Sequence, residues 1–167
     1  MRIFYGTTSS ILLAALACSG AVASTKQASV GNNAPPFEIK LFNHGKRTLA
    51  DYRGKVLVIN YWATWCGPCK AEMPMMSNYH HRNQTRGFEI VGVITKDSAP
   101  AYQLKTLAAV LSYPLALDLK GNYGVIGDAV PTNYVIDRKG VVRYAKATSF
   151  DLEDFRNVIE PLLDEPI

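Results

Sequence analysis

The 167-residue chain has few cysteines, no run of basic residues, and no apolar stretch long enough to cross a bilayer. Its lysines and arginines are scattered from Lys26 to Arg156, which leaves no stripe for a phosphate backbone, so a nucleic-acid partner is not expected. Internal repeats and low-complexity tracts are absent too. Gly121, Gly124 and Gly127 recur every third residue, but they lack a strong preceding strand and the first dipeptide spacing of a phosphate fingerprint, so they read as a loop. The three histidines do not suggest a metal site. His44 falls in a turn, and the adjacent His80 and His81 cannot share a helix face, so solvated roles are expected, with no metal and no cofactor.

What is present begins with a secretory pattern. Arg2, the apolar stretch Ile11 to Ala17, and Ala21-Val22-Ala23 before Ser24 form the n, h and cleavage regions of a signal peptide over residues 1–23. Export to the periplasm or cell envelope is expected, the alternative being an uncleaved N-terminus kept as a membrane anchor. A lipoprotein reading at Cys18 would want leucine three residues earlier and finds Ala15. Cleavage after Ala23 leaves 17 basic against 14 acidic residues and only Cys66 and Cys69, so no spare thiol remains to mispair in an oxidising compartment.

With 48% apolar and 19% charged residues, the rest suits one domain with a real core. Residues 24–33 are small and polar and read as a flexible leader; Ala34-Pro35-Pro36 opens a domain over 34–167. Alternation in Phe37, Ile39 and Leu41, the turn Asn43-His44-Gly45 and a return over Arg47 to Leu49 predict an N-terminal hairpin. Val56 to Trp62, continuously apolar apart from Asn60, reads as a central strand covered on both faces. A helix should run from the cysteines to about Gln84, kinked at Pro74. Then come a strand Phe88 to Ile94, a helix Ala101 to Leu111 capped by Asp97 or Ser98, and a short strand Pro114 to Leu117. A hairpin of Thr132 to Ile136 with Val141 to Ala145 and a last helix capped by Ser149 or Asp151 complete an α/β pattern.

The chemistry lies in Trp65-Cys66-Gly67-Pro68-Cys69-Lys70, at the corner between the central strand and its helix. Two thiols at this spacing can close into a disulfide and reopen. A helix starting near Cys66 aims unsatisfied N–H groups and its positive dipole end at that sulfur, favouring the thiolate, the species that attacks disulfides.

The run Asn60 to Pro74 resembles the active-site segment of TlpA/ResA-like thioredoxin-fold proteins of the bacterial envelope, with a redoxin/AhpC-TSA-type domain. Further matches are Ala34-Pro35-Pro36-Phe37, Tyr52-Arg53-Gly54-Lys55-Val56, Val130-Pro131-Thr132 and Asp137-Arg138-Lys139-Gly140, so the likeness covers most of residues 34–163. It implies a thioredoxin fold: a central mixed β-sheet flanked by helices, with an N-terminal β-hairpin extension and a central insert around 97–120.

In that reading Cys66, first in the pair and nearest solvent, is the nucleophile, and Cys69, one turn deeper, resolves the mixed disulfide. Gly67 permits the turn, and Pro68 sits where its missing N–H would be unsatisfied anyway. Thioredoxin shares this dipeptide and is reducing at about −270 mV, which favours a reductant by analogy. Glu72, roughly a turn beyond Cys69 on nearly the same face, is the candidate proton partner of the buried sulfur, as the matching glutamate is in ResA-like proteins; the alternative is an exposed first-turn carboxylate complementing the dipole. Thioredoxins instead place an aspartate at the position of Asn60, which cannot titrate. Pro131 after Val130 is implied to be the cis-proline that sets backbone beside the disulfide to pair with a substrate strand; without the resemblance an ordinary trans-proline would be expected. Trp65 could pack against substrate or shield Cys66. The substrate-contacting set is thus Trp65, Gly67, Pro68, Val130 and Pro131.

The reading is a monomeric thiol:disulfide oxidoreductase acting on disulfide-bonded proteins and recharged by a membrane electron-donor reductase. Cytochrome c maturation is one setting, weakened because the Gly-Ala-Pro-Glu context of the dedicated branch is replaced by Asp128-Ala129-Val130-Pro131-Thr132. Two alternatives stand beside it. A peroxiredoxin-like peroxide reductase would want threonine where Ala63 stands, and a copper chaperone using both sulfurs lacks a third ligand.

Overall fold

The computed structural model describes residues 27–42, 45–96 and 98–166. The expected signal segment, the turn residues Asn43 and His44, and the candidate cap Asp97 lie outside the described residues.

Among the described residues seven strands form one mixed sheet, in the order β2 (Lys46–Thr48), β1 (Phe37–Leu41), β5 (Leu115–Gly121), β4 (Phe88–Ile94), β3 (Val56–Trp62), β6 (Thr132–Ile136) and β7 (Val142–Lys146). At its centre β3 (Val56–Trp62) is buried at every position, as an apolar run covered on both faces requires. It pairs in parallel with β4 (Phe88–Ile94) and antiparallel with β6 (Thr132–Ile136), which turns back into β7 (Val142–Lys146). Helix α1 (Gly67–Asn83) crosses from β3 to β4, and α2 (Lys105–Val110) crosses from β4 to β5 (Leu115–Gly121). Both crossovers step the same way along the sheet, so right-handed connections place both helices on one face.

That face holds one of two cores. Val56, Val58 and Trp62 of β3 meet Met73 and Met76 of α1, Leu104 before α2, and Phe155 and Ile159 near the C-terminus. The last two belong to a helical segment of three parts: α3 (Leu152–Asp154), a π-helical stretch Phe155–Ile159, and α4 (Glu160–Asp164). Asp151 caps it, accepting from the Asp154 N–H while Asp154 accepts from the Asp151 N–H. On the opposite face Leu57, Ile59 and Tyr61 are covered, among the described residues, by Ala28, Ala34, Tyr123 and Tyr52, the last from the short 3-10 turn Leu49–Tyr52, rather than by an α-helix.

The expected insert carries α2 and then β5, and β5 is a strand of the sheet itself. Strand β5 extends to Gly121, beyond its expected end at Leu117, because its far half pairs with β1 (Phe37–Leu41) of the N-terminal hairpin, whose other strand is β2 (Lys46–Thr48). The hairpin extension is thereby fastened to the core through the insert.

Three expectations need correction. The leader is docked from Gln27 onward: the Ala28 N–H donates to Asn122 O, the Gly31 N–H to Val142 O and the Ala34 N–H to Gly140 O, each at 2.8 Å. Backbone pairing holds what small polar side chains made look loose. The helix expected over Ala101 to Leu111 opens as a 3-10 turn, Ala101–Leu104, behind Pro100, and has no side-chain cap. Ser98 instead faces Thr64. His80 is buried rather than solvated, its Nδ1 2.9 Å from Ser112 Oγ and its Nε2 3.7 Å from a Glu89 carboxylate oxygen. No helix among the described residues is long and apolar enough to cross a membrane.

Candidate active site

Strand β3 delivers the chain to the N-terminus of α1, and Cys66 occupies the cap with extended backbone (φ −80°, ψ 107°). Its sulfur is bonded to that of Cys69. The Cys69 N–H also points at Cys66 Sγ from 3.1 Å, so one of the helix's otherwise unsatisfied donors is already aimed at the sulfur that would carry negative charge on reduction. Gly67 and Pro68 fill the first helical positions, where proline removes no needed donor. The turn ahead of them is braced from the side: the Thr64 N–H donates to Ser98 Oγ at 3.3 Å, and Thr64 Oγ1 accepts from the Ala99 N–H at 2.9 Å.

Both sulfurs are more enclosed than expected. Cys66 is 3% exposed and Cys69 fully buried, so the order of accessibility stands while the margin is small. Trp65, 60% exposed, and the exposed Gly67 and Pro68 form the rim. Across from them the Val130–Pro131 peptide bond is cis, and Cys66 Sγ lies 3.6 Å from Val130 O. The five residues expected to contact substrate therefore gather around one sulfur, from two segments distant in sequence.

Glu72 is not the exposed carboxylate that its place in the first turns of a helix would allow. It is 5% exposed, beneath α1, with Oε1 accepting from Asn60 Nδ2 at 2.8 Å and Oε2 from the Phe150 N–H at 2.7 Å. Burial raises its pKa to about 7, and the two hydrogen bonds hold it from rising further. A buried group that gains and loses a proton near neutrality, three residues from a buried sulfur on the same helix, is suited to general acid–base work. Beside it runs a groove of about 700 Å³ whose walls include Pro68, Met75, Phe150 and Leu152.

Sequence reasoning missed how Glu72 is held. Asn60 also donates to Asn133 Oδ1 at 2.9 Å, and Asn133 Nδ2 donates to Thr148 O at 2.8 Å. The available signal was two lone asparagines in otherwise apolar strands, because polar groups buried at a sheet centre need partners. Among the described residues no three histidine, cysteine, aspartate or glutamate side chains are grouped to hold a metal ion.

The model of the AhpC/TSA family matches residues 30–145. The chain belongs to the AhpC/TSA family. The thiol-disulfide oxidoreductase ResA of Bacillus cereus is 31% identical to it over 149 residues, 85% of each chain. The ResA of Bacillus subtilis is 32% identical over 144 residues, 83% of this chain and 80% of its own. Among solved structures, a thiol:disulfide interchange protein of the thioredoxin family from Chlorobium tepidum aligns with a TM-score of 0.64 at 26% identity, covering 79% of this chain and 96% of the other. This AhpC/TSA-family chain is thus ResA-like and has the thioredoxin fold, as the sequence resemblance implied.

Proposed function

We propose that the protein is an envelope thiol:disulfide oxidoreductase that reduces the disulfides of other proteins. The observation that carries this is the Cys66–Cys69 disulfide at the tip of α1, with the Cys69 N–H donating to Cys66 Sγ. In the reduced enzyme the Cys66 thiolate attacks one sulfur of a substrate disulfide, forming a mixed disulfide and expelling the other sulfur as a thiolate. Cys69 gives its proton to Glu72 and attacks Cys66 Sγ. That step releases the second substrate thiolate and closes the enzyme disulfide, so the substrate gains two electrons and the enzyme loses two. Val130 O and the exposed rim of Trp65, Gly67 and Pro68 are the contacts offered to an extended substrate segment.

Location and supply follow from the sequence. The secretory pattern of residues 1–23 supports export, and an exported reductant in an oxidising compartment needs an electron donor, for which a membrane reductase is the natural class. Apocytochrome c cysteines are one substrate the resemblance brings forward, with the altered Asp128–Thr132 context counting against a dedicated role. Peroxide reduction finds the buried methyl of Ala63 where a threonine hydroxyl is wanted.

The test is alkylation trapping in cells, combined with turnover of a disulfide-bonded test protein by the purified chain. A pair kept mainly as dithiol, together with loss of turnover in Cys66→Ser, is the expected result. A mainly oxidised pair with the donor present would indicate an oxidase, and intact turnover in Cys66→Ser would remove the proposal altogether.

A further inference from the structure

The hydrogen bonds around Glu72 have a polarity fixed from one end. Thr148 O can only accept, so Asn133 turns its amide nitrogen toward it at 2.8 Å and leaves Oδ1 facing Asn60. That oxygen also can only accept, so Asn60 must present Nδ2, which meets it at 2.9 Å and directs its second N–H to Glu72 Oε1 at 2.8 Å. Asn60 Oδ1 is left without a protein partner, although the amide is fully buried. The orientation is thus imposed by the neighbours rather than by the needs of Asn60 itself. Register makes this possible, because Asn60 and Asn133 are directly opposed in the antiparallel pair of β3 and β6.

We propose that Asn133 is a positioning residue for Glu72: anchored on Thr148 O, it fixes the orientation of the Asn60 amide, and that amide holds an N–H donor against the carboxylate. Without the anchor the Asn60 amide is free to rotate and offer Oδ1 to Glu72, which rewards the protonated carboxyl and penalises the carboxylate. The other groups facing Glu72 do not depend on Asn133. Asp154 at the end of α3 adds negative potential, the Tyr113 and Tyr144 hydroxyls lie within electrostatic range, and Cys69 is on the same helix. Asp151, Glu153 and Arg156 line the adjoining groove.

The inference rests on the reading of Glu72 as proton partner of Cys69, so its test reads the carboxyl directly. In the oxidised full-length chain the 13C resonance of the Glu72 side-chain carboxyl is followed against pH. Asn133→Ala should raise the Glu72 midpoint by about one pH unit, a tenfold change in its acid constant. Asn133→Leu, closer in volume, should do the same and serves where the alanine cavity prevents folding. A midpoint within about 0.2 unit of wild type in either folded variant overturns the proposal. In the reduced chain, the pH profile of Cys69 alkylation should shift in Asn133→Ala and show no further shift when Asn133→Ala is added to Glu72→Gln. If the Glu72 midpoint moves but that profile is the same in wild type and Glu72→Gln, the positioning role stands and the proton-partner reading fails.

Discussion

Glu72 Oε2 accepts from the backbone N–H of Phe150 at 2.7 Å, tying the active-site helix to the residue just before the cap of the last helical segment. The bond makes the charge on one side chain a matter for the stability of the whole domain. Burial raises the Glu72 pKa from 4.5 to about 7, so the folded state holds a proton that the unfolded chain has released. Stability from this group is fully present below about pH 4.5 and is lost as pH rises through about 7. Between these limits oxidised wild type should lose up to about 3 kcal/mol of unfolding free energy relative to Glu72→Gln. Denaturant unfolding of both proteins across that range checks the prediction, and parallel curves would contradict it.

Replacing Cys69 by serine should stall the cycle halfway. Cys66 still attacks, but no second sulfur lies beneath it to displace the substrate, so mixed disulfides accumulate and turnover falls. Non-reducing gels of the variant after incubation with a disulfide-bonded protein should show a reducible adduct. Cys66→Ser should show none.

Gly121 is held at φ +155°, and a Cβ there would meet Pro36 O at 2.8 Å and Phe37 Cα at 3.2 Å. Both obstacles are backbone, so neither can rotate away. Gly121→Ala should cost about 2–3 kcal/mol through strain and lost pairing of β1 with β5. Thermal unfolding reads the loss, while disulfide exchange by the folded fraction should be unchanged, because the change lies outside the site.

Removing residues up to Asn33 should destabilise the domain relative to a chain whose deletion ends at Lys26. The longer deletion takes away the bonds of Ala28 and Gly31 to Asn122 and Val142 and uncovers part of the core on the face opposite α1. A loss of about 1–3 kcal/mol relative to the shorter deletion is expected. Equal melting temperatures for the two truncated chains would contradict it.

How much of this the sequence discloses depends on distance along the chain. The bounds of β3, β4 and β6 follow from local apolar runs, and the two cysteines stand at the corner where β3 gives way to α1. The support of Glu72 is not local: Asn133 reaches Asn60 only through antiparallel register, and Phe150 contributes a backbone N–H, which carries no side-chain signature. Residues 27–33 mislead in the opposite sense, since their side chains suggest slack while their main chain is paired. At α2 the apolar spacing is helical, yet the first turn, which follows Pro100 and has no side-chain cap, is 3-10.

Strand β1 is synthesised early, but its long-range partner β5 comes late, and the central strands β3 and β4 are made between them. A ribosome or translocon delivering this chain from its N-terminus therefore releases a hairpin with one edge open until most of the polypeptide has emerged. Protection of the β1 amides on that edge from solvent exchange would accordingly time the arrival of β5 in the sheet, while β6, β7 and the last helical segment are still to be made.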